Sequence, residues 1–319
     1  MADWSTMVFM FPGQGSQTVG MGSDFFQASS IARETFEQAD EILGFSLSAL
    51  CFNGPEEELN DTINTQPALY VCGIAILRVL LAELPDAKPA FVAGHSLGEL
   101  TALAAAHALS FEAGLRLVRE RGRLMKEAGI QRPGAMAAVL GLEADEVRDL
   151  CARASQQTGG ALVLANDNCP GQIVISGDDP TLEHGLVLAK EAGAKRAVKL
   201  AVSIAAHSPL MESVSADFRK AVDATHFETP QMPVYGNVTA APLTGVDAIR
   251  DELGRQLTNS VRWTESVSAM VEAGAQTFVE IGPKDVLNGL LKRIDRNAKG
   301  ISLNTTASLE QFVREQSGG

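Results

Sequence analysis

The sequence Gly-His-Ser-Leu-Gly at residues 94–98 constrains the fold of this chain more than any other segment. A short apolar run of strand type occupies residues 91–93, and an alanine-rich helical run begins at Glu99. A strand, a Gly-x-Ser-x-Gly turn and a helix form a nucleophile elbow, in which glycines permit a sharp turn and the serine stands exposed at a helix N-terminus. We therefore predict that Ser96 is a nucleophile. The alternative is a glycine-rich turn with an incidental serine.

Composition is typical of a globular protein with one large domain or two unequal ones. The 319 residues are 45% hydrophobic and 20% charged, and the net charge of −13 disfavours nucleic acid as a partner. We find no basic leader and no apolar run near the length of a membrane span. The four cysteines are scattered, without a Cys-x-x-Cys pair. These features favour a monomeric, cytoplasmic protein with reduced thiols and no metal or membrane.

Strands and helices alternate along most of the chain, which predicts an α/β fold. In residues 1–131 and 204–319 we expect a mainly parallel sheet flanked by helices, an α/β-hydrolase-like core. Residues 132–203 follow the order strand-helix-strand-strand-helix-strand, which is typical of a ferredoxin-like subdomain inserted into that core. Helices are predicted at 24–50 and 66–84, among other places.

A serine hydroxyl needs a base to take its proton, and position favours one of the five histidines. His95 abuts the serine; we expect it to line the site with its ring turned away from the attacking face. His107 is placed about three turns along the following helix. His184 lies in the inserted subdomain and His226 in a polar loop. His207 follows a predicted strand, where ligands gather in open α/β sheets, so it is the predicted base; a histidine satisfied within the core is the alternative.

A loop rich in glycine follows the predicted first strand, with the sequence Phe-Pro-Gly-Gln-Gly-Ser-Gln at residues 11–17. It lacks the Gly-Lys-Ser/Thr of a phosphate-binding loop and the last glycine of the dinucleotide fingerprint. We predict instead that the N–H groups of Gln14 and Leu97 stabilise an oxyanion. A simple tight turn is the alternative.

Arg121 differs from the other arginines of its predicted helix. Residues 116, 119 and 123 share one helical face, whereas Arg121 is offset and stands beside Gly122. An inward-facing arginine is costly unless it is paired, and a substrate carboxylate held by two guanidinium nitrogens would supply the partner. A solvated position is the alternative.

Taken together, these features resemble the malonyl-CoA:acyl-carrier-protein transacylases of fatty acid synthesis and the related acyltransferase domains of polyketide synthases. The resemblance covers nearly the whole chain. Its motifs are FPGQGSQ at 11–17, QPA at 66–68, GHSLGE at 94–99, RG at 121–122, PGQIVISG at 170–177, the stretch ending at His207, VRW at 261–263 and EIGP at 280–283.

The resemblance implies a ping-pong transfer that needs no cofactor. Ser96, with His207 as base, takes the malonyl group from malonyl-CoA, and Arg121 holds the free carboxylate of the malonyl-serine. The phosphopantetheine thiol of acyl carrier protein then takes the group.

The resemblance also implies further site residues. In the family a main-chain carbonyl orients the histidine, and the matching position here is Arg262. Asn166 and Asn168 match polar residues that line the family's cleft.

Three alternatives stay open. The chain is expected to serve fatty acid synthesis, but a trans-acting acyltransferase of a polyketide synthase or of a malonate decarboxylase system has the same motifs. A serine esterase or thioesterase shares the elbow, although no histidine follows His226, where such enzymes usually carry theirs. A non-catalytic docking module is disfavoured by the intact site residues.

The residues before His207, Ile-Ala-Ala at 204–206, match neither common polyketide pattern, and malonyl is favoured because the rest of the chain resembles the free-standing enzymes.

Overall fold

Two β-sheets flanked by helices organise the chain into a mixed α/β fold. The computed structural model describes residues 3–202 and 204–317. The strands are β1 (Met7–Phe11), β2 (Phe91–Gly94), β3 (Ala135–Leu140), β4 (Leu162–Cys169), β5 (Gln172–Gly177), β6 (Arg196–Lys199), β7 (Val234–Tyr235), β8 (Pro242–Leu243), β9 (Val261–Arg262), β10 (Thr277–Ile281) and β11 (Lys299–Leu303).

Fourteen α-helices lie within the described residues. They are α1 (Ser23–Ala28), α2 (Ser30–Leu43), α3 (Leu47–Asn53), α4 (Glu56–Asn60), α5 (Thr62–Glu83), α6 (Gly98–Ala105), α7 (Phe111–Gln131), α8 (Ala144–Thr158), α9 (Asp179–Glu191), α10 (Glu212–Ala224), α11 (Val246–Gln256), α12 (Trp263–Glu272), α13 (Val286–Ile294) and α14 (Thr306–Gln316). Short 3-10 turns cover Trp4–Thr6 and Pro209–Met211.

The larger sheet has the strand order β11-β10-β1-β2-β7-β8 and is parallel except at the last pair. Every residue of β1 is buried, with Phe9 and Phe11 facing one apolar cluster and Val8 and Met10 facing another. Burial on both faces is what a parallel sheet between two helical layers requires. Because β1, β2 and β7 are parallel neighbours, the loops that follow them meet at one edge of the sheet.

The smaller sheet has the order β6-β3-β5-β4-β9. Its first four strands pair antiparallel, and β9, which comes from the C-terminal part of the chain, pairs parallel with β4. β4 has two register shifts, between Leu164 and Asn166 and between Asp167 and Cys169. Such irregularities re-aim side chains; here the first lies directly before Asn166 and the second lies at Asn168.

Helices α5 and α7 pack closely, and this contact positions Arg121. A Cβ on Gly122 would lie 2.8 Å from the carbonyl oxygen of Thr62, so only glycine permits this approach.

The same pair of helices also compensates for the proline inside α5. Pro67 lacks the N–H that would bond the carbonyl of Ile63, and Nη1 of Arg119 on α7 donates to that oxygen instead, at 2.6 Å.

Several predicted boundaries are wrong. The helix expected over 24–50 is three helices, because Ser29 is extended and Gly44 ends α2 in the left-handed region. His107 lies beyond the end of α6, with φ 57°, rather than within that helix. The strand expected before His207 ends at Lys199.

One helix also contradicts the expectation that no apolar run approaches the length of a membrane span. α5 has 22 residues and a mean hydropathy of 1.6 over its most apolar window. Within the protein, however, 78% of that window is buried. Its apolar surface is therefore that of a core helix.

The α5–α7 contact yields a stability prediction. A Cβ on Gly114 of α7 would lie 2.1 Å from Oη of Tyr70 on α5, so Gly114→Ala should destabilise the fold by about 1–3 kcal/mol through overpacking. Gly289 is the matched control, since it is a helical glycine with no atom near its Cβ position. Gly289→Ala should raise stability by about 0.5–1 kcal/mol. Denaturant unfolding measures the free energy of unfolding of both variants. Equal changes of the same sign would contradict the packing argument.

Candidate active site

The turn after β2 holds Ser96 in a strained conformation, with φ 52°. A Cβ on Gly94 would lie 1.9 Å from the backbone of Gly98, and a Cβ on Gly98 would lie 2.1 Å from the carbonyl oxygen of Phe11. Both glycines are therefore required for the turn to fit against β1. The elbow predicted from the sequence has the geometry that exposes a serine hydroxyl.

His207 is the histidine that reaches this serine. Its Nε2 lies 2.8 Å from Oγ of Ser96, and the residue is buried, with 3% of its surface exposed. Its Nδ1 lies 2.9 Å from the carbonyl oxygen of Gln256 and 3.1 Å from that of Asn259. Carbonyl oxygens only accept, so Nδ1 carries the proton and Nε2 is free to accept one from the serine.

The orienting carbonyls differ from the one expected at Arg262. That residue lies in β9 opposite Asp167, its N–H donates to the carbonyl of Asn237, and its own carbonyl accepts from the Ser266 hydroxyl. The prediction for Arg262 is therefore wrong: its backbone is committed to the sheet, and Gln256 and Asn259, at the end of α11, hold the histidine instead.

The surroundings of His207 favour its neutral form. Burial, and then the positive charge of Arg121, lower the pKa of His207 to about 3. Burial likewise lowers the pKa of His95. A neutral imidazole at ordinary pH can act as a general base at once.

Arg121 is buried beside the serine, with 1% of its surface exposed. Its Nη2 donates to Oγ of Ser96 at 3.1 Å, its Nη1 to Oε1 of Gln66 at 2.9 Å and its Nε to Oε1 of Gln256 at 3.0 Å. Within residues 3–202 and 204–317 it has no carboxylate within 4 Å. Burial lowers its pKa to about 10, which leaves it charged. The remaining N–H groups of Nη1 and Nη2 are thus available to an anion.

The two predicted oxyanion donors, Gln14 and Leu97, line the same cleft, which has a volume of about 290 Å³. Gln14 follows β1 and Leu97 follows the serine, so adjacent parallel strands deliver both. Neither backbone N–H makes a hydrogen bond among the described residues. Free N–H groups beside a nucleophile are suited to a developing oxyanion.

The opposite wall of the cleft comes from β4. Asn166 and Asn168 both line it, and Oδ1 of Asn168 lies 2.8 Å from Nε2 of His95. The His95 ring also packs edge-on against Trp263, with ring centroids 5.6 Å apart. Asn168 and Trp263 therefore hold the His95 ring in the wall of the cleft.

Comparison with known proteins places this geometry in a family. The family model described as "Acyl transferase domain" matches residues 8–316. The chain belongs to the acyltransferase family. Its curated relatives include the malonyl CoA-acyl carrier protein transacylase of Bacillus subtilis, 42% identical over 310 residues that cover 97% of each chain.

Solved acyltransferases have the same fold. An acyl carrier protein S-malonyltransferase from Vibrio cholerae superposes with a TM-score of 0.92 at 42% identity, covering 97% of this chain and 100% of that one. A malonyl-transacylase in complex with its type II PKS acyl-carrier protein has a TM-score of 0.93 at 41% identity, covering 97% and 99%.

Besides Asn259, sequence reasoning missed Asn237 and Gln256, which assemble the acyltransferase site. The side chain of Asn237 accepts from the N–H of Ser96 at 2.6 Å and donates to the carbonyl of Gly94 at 2.7 Å, which fastens the elbow to the end of β7. Gln256 contacts Ser96, His207 and Arg121. Asn237 follows the apolar pair Val234-Tyr235 of β7, and a polar residue at the end of a strand is a usable signal; a glutamine near the end of an amphipathic helix is not.

The pKa of His207 yields a prediction for the acyltransferase. Since the ring stays neutral well below the ordinary histidine value, kcat/KM for the acyl donor should show no inflection near pH 6.5 across pH 5 to 8. Protonation should end activity only as the pH approaches about 3. Initial rates across pH, with folding followed by circular dichroism, measure this; an acid limb centred near pH 6.5 would contradict it.

Proposed function

We propose that this acyltransferase moves a malonyl group from malonyl-CoA to the phosphopantetheine thiol of acyl carrier protein, in support of fatty acid synthesis. The observation that carries the proposal is the buried guanidinium of Arg121, which touches Ser96 Oγ and has no carboxylate partner among the described residues. A malonyl group on the serine carries the missing carboxylate. The names of the relatives, malonyl CoA-acyl carrier protein transacylases, agree with this substrate.

The reaction begins with attack of Ser96 Oγ on the thioester carbonyl while Nε2 of His207 takes the hydroxyl proton. The N–H groups of Gln14 and Leu97 stabilise the oxyanion. The tetrahedral species collapses, the C–S bond breaks, and CoA leaves as the thiol with the proton from His207. A malonyl ester stays on Ser96, its carboxylate paired with Arg121.

The second half reverses these steps with a different thiol. The phosphopantetheine thiol gives its proton to His207 and attacks the serine ester. The C–O bond breaks, and the proton returns to Ser96. The carrier protein thus leaves with a malonyl thioester, and the enzyme is unchanged.

The covalent intermediate is directly testable. Intact-mass spectrometry after incubation with malonyl-CoA should find one malonyl group on the wild type and none on Ser96→Ala. Without carrier protein the adduct should persist, and carrier protein should remove it. Rapid release of free malonate without carrier protein would support a thioesterase, and no adduct on the wild type would contradict the proposal.

Arg121 sets the preference for a charged acyl group. Arg121→Ala should lower the malonyl-to-acetyl ratio of kcat/KM by at least about 100-fold, since breaking a buried ion pair costs about 3–5 kcal/mol. Arg116→Ala is the control, because Arg116 lies on the surface and its one ion pair within the described ranges is with Glu112. Rates with both CoA esters measure the ratio; an unchanged ratio in Arg121→Ala would show that Arg121 does not read the carboxylate.

Transfer to a polyketide-synthase carrier protein is the second candidate function. It is favoured by the 41% identity to the malonyl-transacylase solved with its type II PKS acyl-carrier protein. The site chemistry is the same in both cases. Comparing kcat/KM for the two kinds of carrier protein would separate them.

We also infer that the enzyme is a cytoplasmic monomer with no cofactor beyond its substrates. All the reacting groups come from one chain, and the proposed proton transfers need only His207. The four cysteines are free and buried, which fits a reducing compartment.

We propose a division into a hydrolase-like core, residues 1–131 and 204–319, and a ferredoxin-like subdomain, residues 132–203. The strand order β6-β3-β5-β4 with helices α8 and α9 supports the smaller unit. Its own apolar cluster, centred on Ile175 and Leu150, supports it as well. Strand β9 crosses the boundary, because Val261 and Arg262 complete the smaller sheet.

A further inference from the structure

Glu99 is a buried carboxyl beneath the elbow that the proposed reaction does not use. It lies in the first turn of α6 and is 0% exposed. Its Oε2 accepts from the N–H of Asn237 at 3.1 Å and from Nε2 of Gln256 at 3.0 Å. Its Oε1 has no hydrogen-bond partner in the part of the chain that the structure describes.

Gln256 links this carboxyl to the arginine. Its Nε2 donates to Oε2 of Glu99 and also to the carbonyl of Ser96, at 3.1 Å, which uses both amide hydrogens. Its Oε1 accepts from Nε of Arg121 at 3.0 Å. An arginine Nε–H only donates, so this hydrogen bond requires the amide oxygen to face Arg121.

We propose that Glu99 is a positioning residue for selection of the acyl group. By holding the amide of Gln256, Glu99 fixes the Arg121 guanidinium with its free Nη1 and Nη2 hydrogens towards the acyl carboxylate. The proposal rests on the function proposed above, in which Arg121 binds that carboxylate.

Removal of Glu99 has a definite physical consequence. One hydrogen of the Gln256 amide loses its acceptor in a buried place, which costs about 1–3 kcal/mol. The amide then turns or admits water to satisfy that hydrogen. Nε of Arg121 loses its fixed acceptor, and the hydrogen bonds to Gln66 and Ser96 are left to hold the guanidinium, so its orientation is less restricted.

The role does not depend on the charge of Glu99. Burial, and then the neighbouring Glu252, raise the pKa of this carboxyl. In either protonation state, however, Oε2 must accept, because the backbone N–H of Asn237 can only donate to it. An amide oxygen at the same place would serve equally.

A merely structural role makes a different prediction. Through Asn237, Glu99 also supports the elbow, which serves every acyl group alike. Loss of that support lowers malonyl and acetyl transfer together. Loss of the Arg121 orientation lowers malonyl transfer more, because an acetyl group has no carboxylate to bind. The malonyl-to-acetyl ratio of kcat/KM therefore separates the two roles.

The experiment compares three variants with the wild type. Glu99→Asp keeps a carboxylate but is one methylene too short to reach Gln256, and we expect the ratio to fall about tenfold, as for loss of one hydrogen bond to a charged group. In Glu99→Ala the malonyl-to-acetyl ratio should fall at least as far. Glu99→Gln should keep the ratio within about twofold, since its amide oxygen accepts in place of Oε2.

Glu252→Gln is the matched control. Like Glu99, Glu252 is a fully buried carboxyl. It lies on α11 and accepts from the N–H groups of Val238 and Thr239, and among the described residues it makes no hydrogen bond to the Gln256 side chain. The Glu252→Gln variant should lose thermal stability, and its malonyl-to-acetyl ratio of kcat/KM should not change. In an Arg121→Ala background, Glu99→Asp should have no further effect on the ratio.

Three results would overturn the inference: an unchanged ratio in Glu99→Asp, a ratio in Glu99→Gln as low as that in Glu99→Ala, or an equal fall in Glu252→Gln. Acetyl transfer by each variant reports that it is folded, and Glu99→Asp decides the question if Glu99→Ala fails to fold. Absence of a malonyl preference in the wild type would instead refute the proposed function.

Discussion

The close approach of two backbones, at Phe11 in β1 and Gly98 at the start of α6, is the constraint on which the rest of the site depends. A side chain on Gly98 would occupy the position of the Phe11 carbonyl. With glycine there, the helix starts directly after the strand, and Ser96 adopts a positive φ at the tip of the turn. Neighbouring strands then supply Gln14 and Asn237 beside it, because β1 and β7 pair with β2 on its two sides.

The electrostatics of the cleft follow from burial. Removing water from Arg121 leaves a cation whose contacts are two amide oxygens and the serine hydroxyl. The same burial, with that charge nearby, keeps His207 neutral. The buried Glu99 acts on this charge without touching the guanidinium. The neutral acceptors in contact with it cannot offset the charge as a paired carboxylate can, so the site is complementary to an anionic acyl group before any substrate arrives.

The elbow was predictable from a short pattern, and the failures at the site share one physical cause. Gly94 and Gly98 around Ser96 constrain the backbone locally, so the elbow and its strand-to-helix setting follow from the sequence. The contact between His207 and the carbonyl of Gln256 joins residues 49 apart, and no local pattern encodes it; the family resemblance implied a main-chain carbonyl but assigned it to Arg262. The two-residue strand β9 exists only through its pairing with β4, far earlier in the chain, so no local pattern predicts it either.

The hydrogen bond from Nη2 of Arg121 to Ser96 Oγ has a consequence for the geometry of attack. A hydroxyl oxygen has two lone pairs. This hydrogen bond occupies one of them, the hydroxyl proton is directed at His207, and the second lone pair stays free for the acyl carbon. In the proposed function the free Nη1 and Nη2 hydrogens hold the acyl carboxylate. One guanidinium then fixes both the attacking oxygen and the far end of the acyl group, so a displacement of Arg121 moves the two together.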